Sequence, residues 1–126
     1  MNPLFKMLLL LVLACLHSLV ACAQMEVPGQ DTESCIVYIP TAISPNADGI
    51  NDAFQVQHVC SLEGYRLRIY DAGERMVYES RDVNSTWGGS YQGEPLPEGY
   101  YTWELTYYDA RSGNRVLDRG EFALVR

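Results

Sequence analysis

Oxygen-bearing side chains crowd into one stretch, Ser44-Pro-Asn-Ala-Asp-Gly-Ile-Asn-Asp52. Aligned on Gly49, residues Ser44, Asn46 and Asp48 take the first, third and fifth places of a calcium loop, Ile50 would offer its main-chain carbonyl, and Asp52 stands at the ninth. Oxygen ligands at that spacing are what a hard cation needs. Against this, Gln55 occupies the place of the bidentate Glu, Pro45 stiffens the second position, and no helical pattern flanks the loop. The same residue types also build Asx turns, in which Asn and Asp side chains bond their own backbone. The loop is therefore either a calcium site or a self-bonded polar turn.

The remaining reactive groups are few. Past the first 23 residues His58 is the one histidine, and no serine or cysteine sits in a nucleophile motif. The carboxylates scatter over turns and strand faces as solvated surface does. This inventory argues against an enzyme and against a small-molecule substrate. Asn84-Ser-Thr86 fits a glycosylation sequon, which a bacterial leader makes a coincidence. Cys35 and Cys60 are the cysteines left to the folded part, and in an exported chain such a pair reads as a disulfide. A metal pair would need histidine or cysteine partners that the sequence does not cluster.

Residues 1–23 read as a targeting segment. Lys6 gives a positive start, Met7 to Leu16 an apolar run too short to span a membrane, and Ala21-Cys-Ala23 a cleavage site before Gln24. Leu19-Val-Ala-Cys22 also fits a lipobox, in which Cys22 would be acylated and become the mature N-terminus; contact with a membrane is expected only in that case. Cleavage between Ala23 and Gln24 and lipidation at Cys22 stand as alternatives. Residues 24–34, polar and broken by Pro28 and Gly29, form a short linker, leaving 35–126 as one domain.

The net charge is −7, and every basic residue from Gln24 onward is Arg. An acidic surface disfavours nucleic acid and polybasic membrane contact. It suits a domain facing the outside of a cell.

The elements that must hold the loop are strands. Ile36 to Pro40 and Ala53 to His58 flank it, with Phe54 and Val56 on one face. Tyr65 to Asp71 alternates, with Tyr65, Leu67 and Ile69 inward, and Ala72-Gly-Glu-Arg75 turns it into Met76 to Ser80. After a polar loop from Arg81 to Thr86, Trp87 is expected as a core plug and Leu96 as the anchor of a Gly- and Pro-rich connection. Tyr100 to Asp109 places Tyr101, Trp103, Leu105 and Tyr107 inward, and Arg115 to Arg126 supplies one or two final strands with Phe122 and Leu124 inward. No window carries a helical period. About seven strands with turns between them predict an all-β, two-sheet sandwich.

Several of these runs together resemble a known family. Val37-Tyr-Ile-Pro40, Ser44 to Phe54, Gly64-Tyr-Arg-Leu-Arg-Ile-Tyr-Asp71, Trp87 to Tyr101 and Phe122-Ala-Leu-Val-Arg126 are similar to the gliding-motility-associated C-terminal domain, the type B sorting domain of the Bacteroidota type IX secretion system. The turn Asp71-Ala-Gly-Glu74 departs from the family's usual Asp/Asn-Arg-Trp-Gly. The resemblance implies an immunoglobulin-like sandwich that catalyses nothing. It implies a folded module recognised by the type IX outer-membrane machinery after export and carried to the surface or medium. The loop around Asn46, Asp48, Gly49, Asn51 and Asp52 is the expected recognition surface, because irregular polar backbone at one end of a sandwich costs folding entropy.

No cargo domain is recognisable before Cys35. The chain thus reads as a small surface-displayed binding or adhesion protein, a lipoprotein held through Cys22, or the remnant of a larger gene. In the adhesion alternative, the exposed faces of Tyr100 and Tyr108 would stack on glycans.

Overall fold

The computed structural model describes residues 2–8 and 35–126. Residues 3–8 are helical, and among the described residues no helix is long and apolar enough to cross a membrane. The proposed cleavage site at Ala23 and Gln24, the lipidation candidate Cys22 and the linker 24–34 lie outside the described residues.

Residues 35–126 carry nine strands: β1 (Val37–Tyr38), β2 (Ala42–Ile43), β3 (Gln57–His58), β4 (Glu63–Tyr70), β5 (Met76–Ser80), β6 (Ser90–Tyr91), β7 (Glu94–Pro95), β8 (Gly99–Tyr108) and β9 (Arg115–Leu124). One sheet has five strands in the order β2-β9-β8-β4-β5, antiparallel except where β2 runs parallel to β9. The β1–β3 ribbon and the β6–β7 hairpin form two smaller sheets. Together they make an all-β, immunoglobulin-like sandwich.

The alternation seen in the sequence decides which face is core. Tyr65, Leu67 and Ile69 of β4, Tyr101, Trp103 and Leu105 of β8, and Phe122 and Leu124 of β9 are all buried. Phe54, Val56, Leu62, Trp87 and Leu96 complete the same cluster from outside the large sheet. Phe54 packs on Phe122 with ring centroids 4.6 Å apart, and Trp87 meets Phe122 edge-on at 6.1 Å. Aromatic pairs in such geometry add about 0.5–1.5 kcal/mol each beyond the area they bury. The Trp87 indole N–H donates to the Ser90 carbonyl at 2.9 Å, so the buried ring leaves no orphaned donor. Near the start of β8 the Tyr101 hydroxyl donates to the Pro97 carbonyl at 2.7 Å, the tyrosine-corner arrangement of immunoglobulin-like folds.

Some strand bounds differ from the expectation, for local reasons. Only Gln57–His58 of the run Ala53 to His58 joins β1; Phe54 instead exchanges two backbone hydrogen bonds with Trp87, of 2.8 and 3.0 Å. β2 gives no strand signal in the sequence, because Pro40 and Pro45 enclose it and two residues show no period. β6 and β7 meet at Gln92 and Gly93, both at positive φ (51° and 81°), the type I′ geometry of a tight hairpin. Arg115 to Leu124 is a single strand, within the one or two expected there.

A disulfide joins Cys35 to Cys60, with Cα atoms 5.4 Å apart, and closes the ribbon that frames the loop. In the chain-entropy account a closure of this length is worth roughly 3–4 kcal/mol. On the outer face of the large sheet a row of charges crosses four strands. Glu79 pairs with Arg66 and Arg68 at 3.1 Å each, and Glu104 with Arg68 at 3.3 Å and Arg119 at 3.4 Å. Its hydrogen bond from Arg66 holds the Glu79 carboxyl below the usual carboxylate range. Exposed pairs of this kind contribute tenths of a kcal/mol each, so the row fixes cross-strand register more than it adds stability.

The register of β8 against β9 sets Trp103 opposite Gly120, and a Cβ at Gly120 would come within 2.5 Å of the indole. Gly120→Ala is therefore expected to lower stability by about 1–3 kcal/mol in urea denaturation. Gly88→Ala, with open space around it, is the matched control and should stay within about 0.5 kcal/mol.

Candidate functional site

Two buried anchors define where the loop begins and ends. Ile43 is 1% exposed and its carbonyl accepts from the Val125 amide at 2.9 Å, while the Ala123 amide donates to Thr41 at 3.0 Å. On the far side Phe54 is fully buried and bridged to Trp87. Between them the chain reverses, and the Ser44 amide donates to the Asn51 carbonyl at 2.7 Å to close the neck.

Inside the neck the polar side chains are turned on the loop's own amides. Asp52 accepts from the Gly49 amide at 2.7 Å through Oδ2 and from the Asn46 amide at 3.3 Å through Oδ1. Asp48 Oδ1 accepts from the Ile50 amide at 2.8 Å, and Asn46 Oδ1 from the Asp48 amide at 3.1 Å. Asn46 Nδ2 donates to Ser44 Oγ at 3.5 Å. Ala47, Gly49 and Asn51 lie at φ of 60°, 82° and 52°. Left-handed backbone at three of five consecutive positions is unfavourable without support, and the side-chain acceptors supply it.

All the sequence-selected residues of the loop thus meet in one place. Asn46, Asp48 and Asp52 act on the backbone, Ser44 Oγ accepts from the Asn46 side chain, Gly49 supplies the turn conformation, and Asp48, Ile50 and Asn51 are exposed, Ile50 to 67%. Next to them a hollow of about 370 Å³ opens between the loop and the β1–β3 ribbon, lined by Tyr38, Pro40, Gly49, Asn51, Asp52 and Gln57. The arrangement offers a rigid, polar, outward-facing tip with an apolar side chain at its centre.

His58, half-buried, donates from Nδ1 to the Cys60 carbonyl beside the disulfide. Among the described residues no three His, Cys, Asp or Glu side chains gather at metal-binding distance.

Sequence reasoning did not foresee a second fastening at this end of the fold. Arg126 reaches back over the β6–β7 hairpin, donating from Nε to the Leu96 carbonyl and from its terminal nitrogen to the Gly89 carbonyl, both at 3.0 Å. A terminal Arg gives no signal of its partners until Leu124, packed on Gly89, brings it there.

Residues 37–120 match the CHU_C type IX secretion signal domain, and the chain belongs to that family. No curated protein matches the chain. Among solved structures it is similar to PorZ, a surface component of the type IX secretion system of Porphyromonas gingivalis. Identity there is 25%, over 74% of this chain and 12% of PorZ, with a TM-score of 0.43. It is also similar to CopC from Methylosinus trichosporium OB3b, at 13% identity over 72% of this chain and 93% of that one, with a TM-score of 0.45. The chain spans a small fraction of PorZ's length. Family membership gives the domain a role in type IX secretion sorting and an association with that machinery, and makes the protein secreted or surface-borne.

Both oxygens of Asp52 and one of Asp48 accept from the loop's own amides. Calcium titrated into chelator-treated protein is expected to release no heat and leave the melting temperature unchanged. A saturable heat with a rise of several degrees would instead establish a metal loop.

Proposed function

We propose that this chain is a non-enzymatic sorting module whose folded domain is recognised through the Ser44–Asp52 loop by the outer-membrane part of the type IX machinery. Residues 1–23 bring it through the inner membrane, and the sandwich then serves as the address. The observation that carries this reading is the loop itself. Within the family-matched stretch, it holds strained backbone rigid with its own carboxylates and leaves Asp48, Ile50 and Asn51 outward. Such rigidity lowers the entropy cost of docking. The reading needs no cofactor, no nucleic acid and no small-molecule substrate, and it holds whether Cys22 is removed or lipidated.

A surface binding or adhesion module is the second reading, favoured by Tyr100 and Tyr108, which are 67% and 47% exposed on the outer sheet face. The two lie at opposite ends of β8, so they do not form one platform.

The test is a fluorescent reporter with a Sec leader and residues 35–126 at its C-terminus, expressed in a Bacteroidota host. The reporter should reach the surface or medium and stay periplasmic once the type IX machinery is deleted. Asp48→Ala with Asn51→Ala should lower export several-fold at unchanged reporter level, whereas Cys35→Ser should show first as proteolysis. Equal export with and without the machinery would sink the sorting assignment.

A further inference from the structure

At the end of the sheet away from the loop, a hollow of about 540 Å³ opens where β4 and β9 begin and β8 ends. Its volume is in the range of about 300–1,000 Å³ usual for small-molecule sites. Three of the residues lining it, Tyr65, Arg66 and Thr106, each carry a buried polar atom with no partner in the protein: the Tyr65 hydroxyl, Arg66 Nε and Thr106 Oγ1. Tyr65 is 5% and Thr106 7% exposed. Arg66 and Thr106 are partners in the β4–β8 register and share the outer face, and a fold that leaves both of their polar atoms unpaired there has a reason to receive a polar guest.

The chemistry around these atoms says what guest. Arg66, Arg81 and Arg115 line the hollow against Asp82, and Glu79 beside it pairs with Arg66, which leaves a local excess of one positive charge on a chain whose total is −7. Arg66 spends its terminal nitrogen on Glu79, which leaves Nε–H free to donate. Asp82 accepts from the Asn84 amide at 2.9 Å and is partly spent. Burial pushes the Tyr65 phenol far above its ordinary range, so it stays protonated and able to donate. At the rim the Tyr108 ring lies on Gly64, so close that a Cβ there would come within 2.7 Å of it. The ring is 47% exposed, and its other face is available for stacking.

We propose that this hollow binds a sugar acid: its carboxylate is held by the arginines, its hydroxyls exchange hydrogen bonds with Thr106, and one ring face rests on Tyr108. A neutral sugar would leave the arginines unanswered, and a bare oxyanion would leave Tyr108 and the hydroxyl partners unused. The site is distinct from the Ser44–Asp52 loop. β9 alone, at about 3.4 Å per residue, puts some 30 Å between the two ends.

Nuclear magnetic resonance titration of the purified protein, followed at the Arg Nε–H resonances, tests this with glucuronate, glucose and inorganic phosphate as probes. Glucuronate should shift the Arg66 and Arg115 signals saturably, with glucose and phosphate at least about tenfold weaker, a difference of about 1.4 kcal/mol. Tyr108→Ala and Arg115→Gln, both surface changes, should weaken glucuronate about tenfold or more with the melting temperature unchanged. Thr106→Val should do so too while keeping the side-chain shape. Absence of saturation, equal binding of phosphate or glucose, or binding that survives all three variants would overturn the proposal. Reporter export does not depend on this site, so failure here leaves the sorting reading standing.

Discussion

The pairing of β8 with β9 is the constraint on which the rest depends. Ten residues of each strand face one another from Gly99 opposite Leu124 to Tyr108 opposite Arg115. That register sets Trp103 over Gly120 and Tyr101 beside Phe122, and so creates the cavity into which Phe54 and Trp87 fit. A slip of β9 by one residue would turn Phe122 and Leu124 to the outer face and take from Phe54 and Trp87 the ring they pack on. The same strand pair organises both ends of the molecule: β9 finishes against β2, which launches the polar loop, and begins at the arginine-lined hollow.

From this frame the loop follows by local chemistry. The chain enters from Ile43 and must leave at Phe54, both fixed in the core, so the residues between them have to reverse within a short span. Positive φ at Ala47, Gly49 and Asn51 makes the reversal, and the carboxylates of Asp48 and Asp52 hold it without tertiary help. The disulfide adds a covalent limit on how far the ribbon beside the loop can open. A surface built this way keeps one shape when partner and solvent exchange over it.

Much of this was legible in the residues. Alternation placed Tyr65, Leu67, Ile69, Tyr101, Trp103 and Leu105 in the core, and all are buried; the hairpin at Met76 to Ser80 has the bounds its pattern gave. Family motifs pointed to type IX sorting, and the family match agrees. What escaped was structure without a period. β2 is two residues between prolines, β6 and β7 turn through Gln-Gly rather than Asn-Gly, and Phe54 bridges to Trp87 across a separation no local pattern encodes. Thr106 sits on the outward face yet is buried, because neighbouring strands and not its own alternation cover it. In the loop the residue types announced self-bonding, but which oxygen serves which amide depends on three left-handed residues that only the closed neck determines.

The central claim is that the machinery reads the loop end of the folded sandwich. Site-specific photo-crosslinking in a type IX-competent cell measures this directly. A photoreactive residue at Ile50, 67% exposed at the loop tip, is compared with one at Leu117, 62% exposed near the other end. The account predicts a crosslink to an outer-membrane component of the machinery from position 50 and none from position 117. Crosslinking of that component from position 117 alone, or equally from both, would contradict it.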